Sequence, residues 1–232
     1  MSNHFKSIIF AAVMSIICSS LLTLASAGLK VYQLKNMALD RQKNILKSVG
    51  LVEEDQAPNP DTLAKRYAER IQQMWVDAQG RLVTAEQKGP NDLSVYLHVK
   101  DGAVQAYIIP VDSRGLWGRI SGYLALENDG ITVAGFTVYN HQETPGLGGE
   151  IEQNWFQKNF AGKKILDEKG NLVSVTIAKG AAADKIPQSR RQYYVDGISG
   201  ASMTGKFLSE GIKQTLIEYE PLSKRFREKK LK

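Results

Sequence analysis

No charged side chain occurs between Lys6 and Lys30, and the run from Ser7 to Leu29 is predominantly apolar. A helix that crosses a bilayer needs about 20 such residues, because the hydrocarbon core is about 30 Å thick and each residue rises about 1.5 Å. A helix apolar on every side must be buried all round, in protein or in lipid. Two fates compete. One is a membrane anchor. The other is a secretory signal peptide, with Lys6 as a weak basic start and Ala25-Ser26-Ala27 as the cleavage site. The run is longer than the apolar region of about 7–15 residues usual in signal peptides, which favours a transmembrane helix over 7–29. Lys30, Lys35, Arg41, Lys43 and Lys47 follow the span, against Lys6 and the terminal amine before it. Taken alone, that bias places the rest of the chain on the cytoplasmic side.

The remaining length suits one sizeable domain, and 43% hydrophobic with 23% charged residues is an ordinary folded composition. Cys18 is the only cysteine, which excludes an intrachain disulfide and any cysteine-based zinc or iron–sulfur centre. His4, His98 and His141 are scattered, and no His/Asp/Glu group has metal-ligand spacing. The net charge of +6 comes partly from a basic tail over 223–232. Such a tail is a solvated terminus or a contact for anionic lipid or a partner. No basic stripe is interleaved with aromatics, so nucleic acid is not an expected partner.

Periodicity divides the chain into a short segment 1–6, the span 7–29, a juxtamembrane helix and linker 30–60, a domain 61–222 and the tail. Val31, Leu34, Ala38, Ile45, Leu46 and Val49 recur at helical spacing before Ala57-Pro58-Asn59-Pro60 interrupts. Asp61 reads as an N-cap, and Leu63, Tyr67, Ile71, Met74 and Trp75 predict one face of a second helix. From Leu93 the period becomes two. Val95, Leu97 and Val99, then Asp101-Gly102, then Val104, Ala106 and Ile108 predict a hairpin. Ile120–Leu126 and Ile131–Tyr139 around Asn128-Asp129-Gly130 predict another. Glu150–Phe160 reads as helical, Leu172–Ile177 and Tyr193–Asp196 as short strands, and Gly205–Tyr219 as a closing helix. Strands and helices do not alternate regularly, so the expected class is α+β with an antiparallel sheet and flanking helices.

Two loops concentrate the chemistry. Asp196-Gly197-Ile198-Ser199-Gly200-Ala201-Ser202-Met203-Thr204 places three hydroxyls and two glycines before the closing helix. Helix N-termini offer unpaired N–H groups and a favourable dipole to a phosphate. Thr144-Pro145-Gly146-Leu147-Gly148-Gly149 allows backbone to approach a flat ring, with Leu147 as an apolar wall. Together they could hold a flavin: phosphate on the first, ring against the second. By spacing alone, a capped helix start and a structural glycine turn are the commoner reading. His141 and Glu143 could pair as acid and base, although a loop glutamate beside a Pro-Gly turn is more often a structural hydrogen-bonder. Gly146-Leu147-Gly148-Gly149 lacks the full dinucleotide fingerprint, and Gly-x-Ser-x-Gly is absent.

Glu143–Gly148 followed by Asp196–Ser202 resembles the FMN-binding domain family found in the C subunit of Na⁺-translocating NADH:quinone reductases. The G subunit of Rnf complexes shares both motifs. Gly115-Leu116-Trp117-Gly118, Ser121-Gly122-Tyr123-Leu124-Ala125-Leu126, Gly149-Glu150 and Asn154-Trp155 are more similar to the former. The resemblance covers nearly the whole chain, anchor included.

It implies an FMN joined by a phosphoester to a hydroxyl in the pattern Asp-x-x-Ser/Thr-Gly-Ala-Thr, attached by a flavin transferase. Mapped onto this chain, the acceptor is Ser202, a serine where the family pattern has threonine, with Thr204 as the fallback. Asp196, Ser199, Gly200, Ala201, Met203, Glu143, Thr144, Pro145, Gly146, Leu147 and Gly148 would then line the cofactor. The resemblance further implies an electron relay without its own NADH site or acid/base residues. Its implied partners are the other subunits of a Na⁺ pump and membrane lipid. It also implies a single-pass protein of the bacterial inner membrane with its domain on the outer side, against the charge bias after the span. The alternatives are the same role in an Rnf complex, or an anchored binding module without redox function.

Overall fold

The computed structural model describes residues 3–53 and 58–229. Ala57 of the proline break, positions 1 and 2 of the first segment and positions 230–232 of the tail lie outside the described residues. The chain divides into two compact units, Met1–Asp40 and Arg41–Lys232. The described residues of the first, 3–40, are helical and form the larger part of α1 (Asn3–Ser48), which is long and apolar enough to cross a membrane. The segment expected to begin a separate juxtamembrane helix at residue 30 instead continues the same helix without a break.

The second unit is built on six antiparallel strands: β1 (Ile71–Val76), β2 (Leu82–Val83), β3 (Leu93–Lys100), β4 (Ala103–Arg114), β5 (Arg119–Glu127) and β6 (Val133–Asn140), in the order β2-β1-β3-β4-β5-β6. The β3–β4 turn carries positive φ at both Asp101 and Gly102, as a two-residue hairpin of the favoured twist requires. One edge strand has two residues, and the other is shielded where the Val133 N–H donates to Lys163 O at 2.8 Å. Both devices blunt edge-to-edge pairing.

Each sheet face is covered. Val95, Leu97, Tyr107, Ile109, Val111, Leu124, Phe136 and Val138 belong to the main core, which α5 (Ser202–Glu218) and α6 (Glu220–Arg227) share with the turns over 148–160; α5 packs on β4 and Phe136 of β6 packs on Phe160. Three long-range hydrogen bonds fix that layer. Tyr107 Oη donates to Ser223 Oγ at 2.7 Å, Tyr219 Oη to Ser94 O at 2.6 Å, and Ser113 Oγ to Phe207 O at 2.8 Å. On the opposite face Thr137 Oγ1 donates to Asn44 O at 3.2 Å, and Ile45 and Leu46 at the end of α1 are buried.

Several expectations change. The second helix, α2 (Pro60–Arg70), stops before Ile71, and 71–76 is a strand paired with β3. Apolar residues at 71, 74 and 75 fit either period, and the ladder partner decides. Asn59, not Asp61, caps α2; its Oδ1 accepts the Asp61 N–H at 3.1 Å. The run expected as one helix over 150–160 is a chain of short turns around α3 (Asn154–Gln157). Only Thr176–Ile177 (β7) of the next expected strand forms a ladder, parallel to Tyr194–Val195 (β8). Between them lies α4 (Ala182–Lys185). The closing helix starts three residues earlier than expected, at Ser202. The basic tail begins inside the packed body, because Leu222, Ser223 and Phe226 of α6 are buried and Phe226 stacks on Tyr107.

Candidate functional site

The two loops singled out in the sequence meet. Glu143 follows β6, Thr204 lies in the first turn of α5, and Thr204 Oγ1 donates to Glu143 Oε2 at 2.5 Å. The second carboxylate oxygen, Oε1, accepts the backbone N–H of Trp117 at 3.0 Å. Glu143 is 4% exposed and Thr204 2%. One buried carboxylate therefore clasps three segments: the β4–β5 hairpin tip, the loop after β6 and the start of α5.

Glycines make room for the clasp. A Cβ at Gly115 would overlap Glu143 Oε1, and one at Gly148 would lie 2.6 Å from Thr204 Oγ1 and 2.7 Å from Glu143 Oε2. Gly146 and Gly200 hold positive φ, 74° each, and Leu147 packs over Gly200, where an added Cβ would sit 2.8 Å from Leu147 Cδ2. Thr144 O accepts from the N–H groups of Leu147 and Gly149, closing the Thr144–Gly149 loop on itself. Thr144, Pro145, Gly146 and Leu147 lie on the outer side of that loop, whereas Gly148 and Gly149 are buried.

His141 does not pair with the Glu143 carboxylate. Its Nδ1 accepts the Glu143 N–H at 3.1 Å, which leaves the ring proton on Nε2 facing Glu152 Oε2 at 3.1 Å. Asp196 is exposed and accepts the Ala182 N–H at 2.7 Å, steadying α4. Gly197 packs against Ala178 O with no space for a Cβ. Nearby, burial lowers the Lys163 amine pKa, with the Asp196 charge opposing it.

The start of α5 carries no side-chain cap. Ser199, Gly200, Ser202 and Met203 are exposed while Ala201 is buried, and among the described residues the Ser202 hydroxyl makes no hydrogen bond. The turn is therefore not a serine-capped helix start; its first N–H groups remain for another acceptor. The two hydroxyls singled out as acceptors differ sharply: Thr204 is committed to Glu143, and Ser202 is open. An uncapped helix start, an exposed hydroxyl on its first residue and an apolar wall at Leu147 fit a phosphate joined to a flat apolar ring.

Trp117 lies outside the site residues that the sequence singles out. It is 67% exposed, and its neighbour Leu116, with Trp155 and Met203, is also exposed. The hairpin tip borders a surface depression of about 460 Å³. Gly-Leu-Trp-Gly at a hairpin tip is the available signal, since glycines spaced around an exposed tryptophan are not needed by a plain turn.

Comparison with known proteins finds a matching family and relatives over most of the chain. The family described as FMN-binding domain matches residues 115–217, from the hairpin tip through α5. The C subunit of the Na(+)-translocating NADH-quinone reductase of Neisseria meningitidis serogroup A is 35% identical, covering 86% of this chain and 84% of its own. Its counterpart from Yersinia pestis is 30% identical over 98% of this chain and 94% of its own. A crystal structure of the counterpart from Parabacteroides distasonis superposes with a TM-score of 0.70 at 29% identity, covering 84% of this chain and 96% of that one. With the uncapped α5, the clasped loops and these relatives together, the chain belongs to the C-subunit family of the Na(+)-translocating NADH-quinone reductases.

Proposed function

We propose that this chain is the membrane-anchored flavoprotein subunit of a Na⁺-translocating NADH:quinone reductase, and that it carries FMN as a phosphoester of Ser202. The observation that carries the assignment is the contrast within the first turn of α5. Thr204 gives its hydroxyl to a buried carboxylate, while Ser202 presents its own at an uncapped helix start.

Attachment joins Ser202 Oγ to the phosphorus of an activated flavin phosphate, such as a flavin phosphoanhydride held by a transferase. The anhydride P–O bond breaks, the leaving phosphate departs, and the hydroxyl proton passes to a base of the transferase or to water. The N–H groups of the first α5 turn would then face the ester phosphate, with the positive end of the helix dipole behind them. Leu147 would wall the ring, and the Thr144–Gly149 loop would offer backbone to its edge. When bound, FMN supplies the redox chemistry, taking up and passing on electrons. A covalent tether lets the site stay shallow and open to a neighbour, which suits an electron relay. The domain would sit on the outer side of the inner membrane, because large domains translocate largely regardless of flanking charge.

Co-expression of the full chain with a flavin transferase, followed by a denaturing gel viewed under ultraviolet light, tests the reading. A fluorescent band is expected for the native chain, for Thr204→Val and for Ser202→Thr, and none for Ser202→Ala. A dark native band, or a bright Ser202→Ala band, would overturn it.

A further inference from the structure

The imidazole of His141 closes the base of the loop that carries Leu147. Where the loop begins, its Nδ1 accepts the backbone N–H of Glu143 at 3.1 Å. Where the loop ends, in the 3₁₀ turn Gly148–Glu152, its Nε2 meets Glu152 Oε2 at 3.1 Å. Between the two, a Cβ added at Gly149 would touch the ring Cε1 at 3.4 Å. One ring therefore holds both ends of the segment 143–152. Its side chain is 12% exposed, against 55% for that of Glu152.

The two ring nitrogens cannot exchange roles. The Glu143 N–H is a donor, so Nδ1 must present a lone pair. The ring proton then sits on Nε2, where a carboxylate accepts it. A second proton, on Nδ1, would set N–H against N–H and release Glu143. The closed loop and the neutral ring protonated at Nε2 therefore require each other. Histidine acts here as asparagine does in an Asx turn, accepting the N–H two residues on, while its far nitrogen reaches a second segment. The residue held in this way is the one whose carboxylate takes the Trp117 N–H and the Thr204 hydroxyl. The tie on its backbone thus sets where the clasp forms.

We propose that His141 is a positioning residue for the flavin ring. Its neutral imidazole staples the loop so that Leu147 and the Thr144–Gly149 backbone keep their places against the ring. It acts through the loop and exchanges no proton with the flavin. The proposal rests on the flavoprotein reading.

Two variants separate the two bonds. In His141→Asn, Oδ1 lies where Nδ1 does and keeps the Glu143 tie, while the Glu152 contact is lost. In His141→Gln, the longer amide reaches towards Glu152 and the tie is lost. The full chain is flavinylated by co-expression with a transferase and read by the visible circular dichroism of its flavin and by iodide quenching of flavin fluorescence. Every variant should still give a fluorescent band on a denaturing gel, because Ser202 is exposed and lies off the loop. The native chain and His141→Asn should share one flavin dichroism spectrum. His141→Gln and His141→Leu should lose that dichroism severalfold and be quenched severalfold faster. Nitrogen-15 NMR of the histidine-labelled chain made without transferase, with His141 assigned by its loss in His141→Asn, should show a single tautomer protonated at Nε2. Unchanged flavin dichroism in His141→Leu, a loss in His141→Asn as large as that in His141→Leu, or a native ring carrying its proton on Nδ1 would each overturn the proposal. A dark native band would overturn the Ser202 attachment and the flavin role of His141 with it. The tautomer, read without flavin, tells that failure from failure of the staple.

Discussion

Gly211→Ala pits two effects of opposite sign against each other. In an exposed helix interior, alanine is favoured over glycine by about 0.5–1 kcal/mol. Gly211 is not in open space. A Cβ there would overlap both Oγ and Cβ of Ser113 on β4 and would lie 2.9 Å from Ser113 Cα. Ser113 cannot swing aside cheaply, because its Oγ donates to Phe207 O at 2.8 Å one turn earlier on α5. Overpacking costs about 1–3 kcal/mol. Losing the Ser113 hydrogen bond adds about 1 kcal/mol. Packing wins, with a net destabilisation of about 1–3 kcal/mol once the propensity gain is subtracted. For a domain of this size that lowers Tm by about 2–4 °C per kcal/mol. Thermal unfolding of the full chain in detergent, followed by tryptophan fluorescence, measures it. Lys213→Ala, an exposed change on the same helix, should shift Tm little. An unchanged or raised Tm for Gly211→Ala would refute the close approach of α5 to β4.

Thr204→Val leaves Glu143 Oε2 buried without its donor and should cost about 1–3 kcal/mol, whereas Thr204→Ser should be tolerated; equal melting of both variants would contradict the clasp. Gly115→Ala drives a methyl into Glu143 Oε1 and should destabilise by about 1–3 kcal/mol while shifting Trp117 emission, and unchanged emission would place that tryptophan elsewhere. Burial raises the phenol pKa of Tyr67 to about 12 and also raises those of Tyr96, Tyr107, Tyr123 and Tyr219. The folded state then holds protons that the unfolded state releases from about pH 10, so stability should be intact below pH 10 and fall towards pH 12 and above. The tyrosinate absorbance of these five phenols should appear only with unfolding, and ionisation of all the tyrosines while the fold is still intact would refute their burial.

The parts of the fold legible in sequence are those with local signals. Asp101-Gly102 set the β3–β4 turn, and the charge-free run set the first part of α1. The apolar residues at 71, 74 and 75 mislead because their spacing satisfies a helix face, while strand β1 depends on pairing with β3 across the intervening hairpin. The end of α6 reads as a free tail because Phe226 is a lone aromatic among basic residues, and the partners that bury it, Tyr107 and the turn at Gly130, lie far away in sequence. Both site loops are legible as glycine- and hydroxyl-rich stretches. Their junction is not. Glu143 and Thr204 are 61 residues apart, and no local pattern says that one will take the other's hydroxyl. Nor does sequence distinguish Gly148, which makes space for that bond, from Gly146, which turns the chain.

The clasp also marks one amide proton. The Trp117 N–H sits at the tip of a hairpin whose side chain faces solvent, where exchange with bulk water is ordinarily fast. Its acceptor is a carboxylate buried under α5. Exchange there requires the tip to leave Glu143, so the rate reports the free energy of a local opening rather than of global unfolding. Followed by hydrogen exchange, this single amide becomes a gauge of how firmly the three segments of the site are held together.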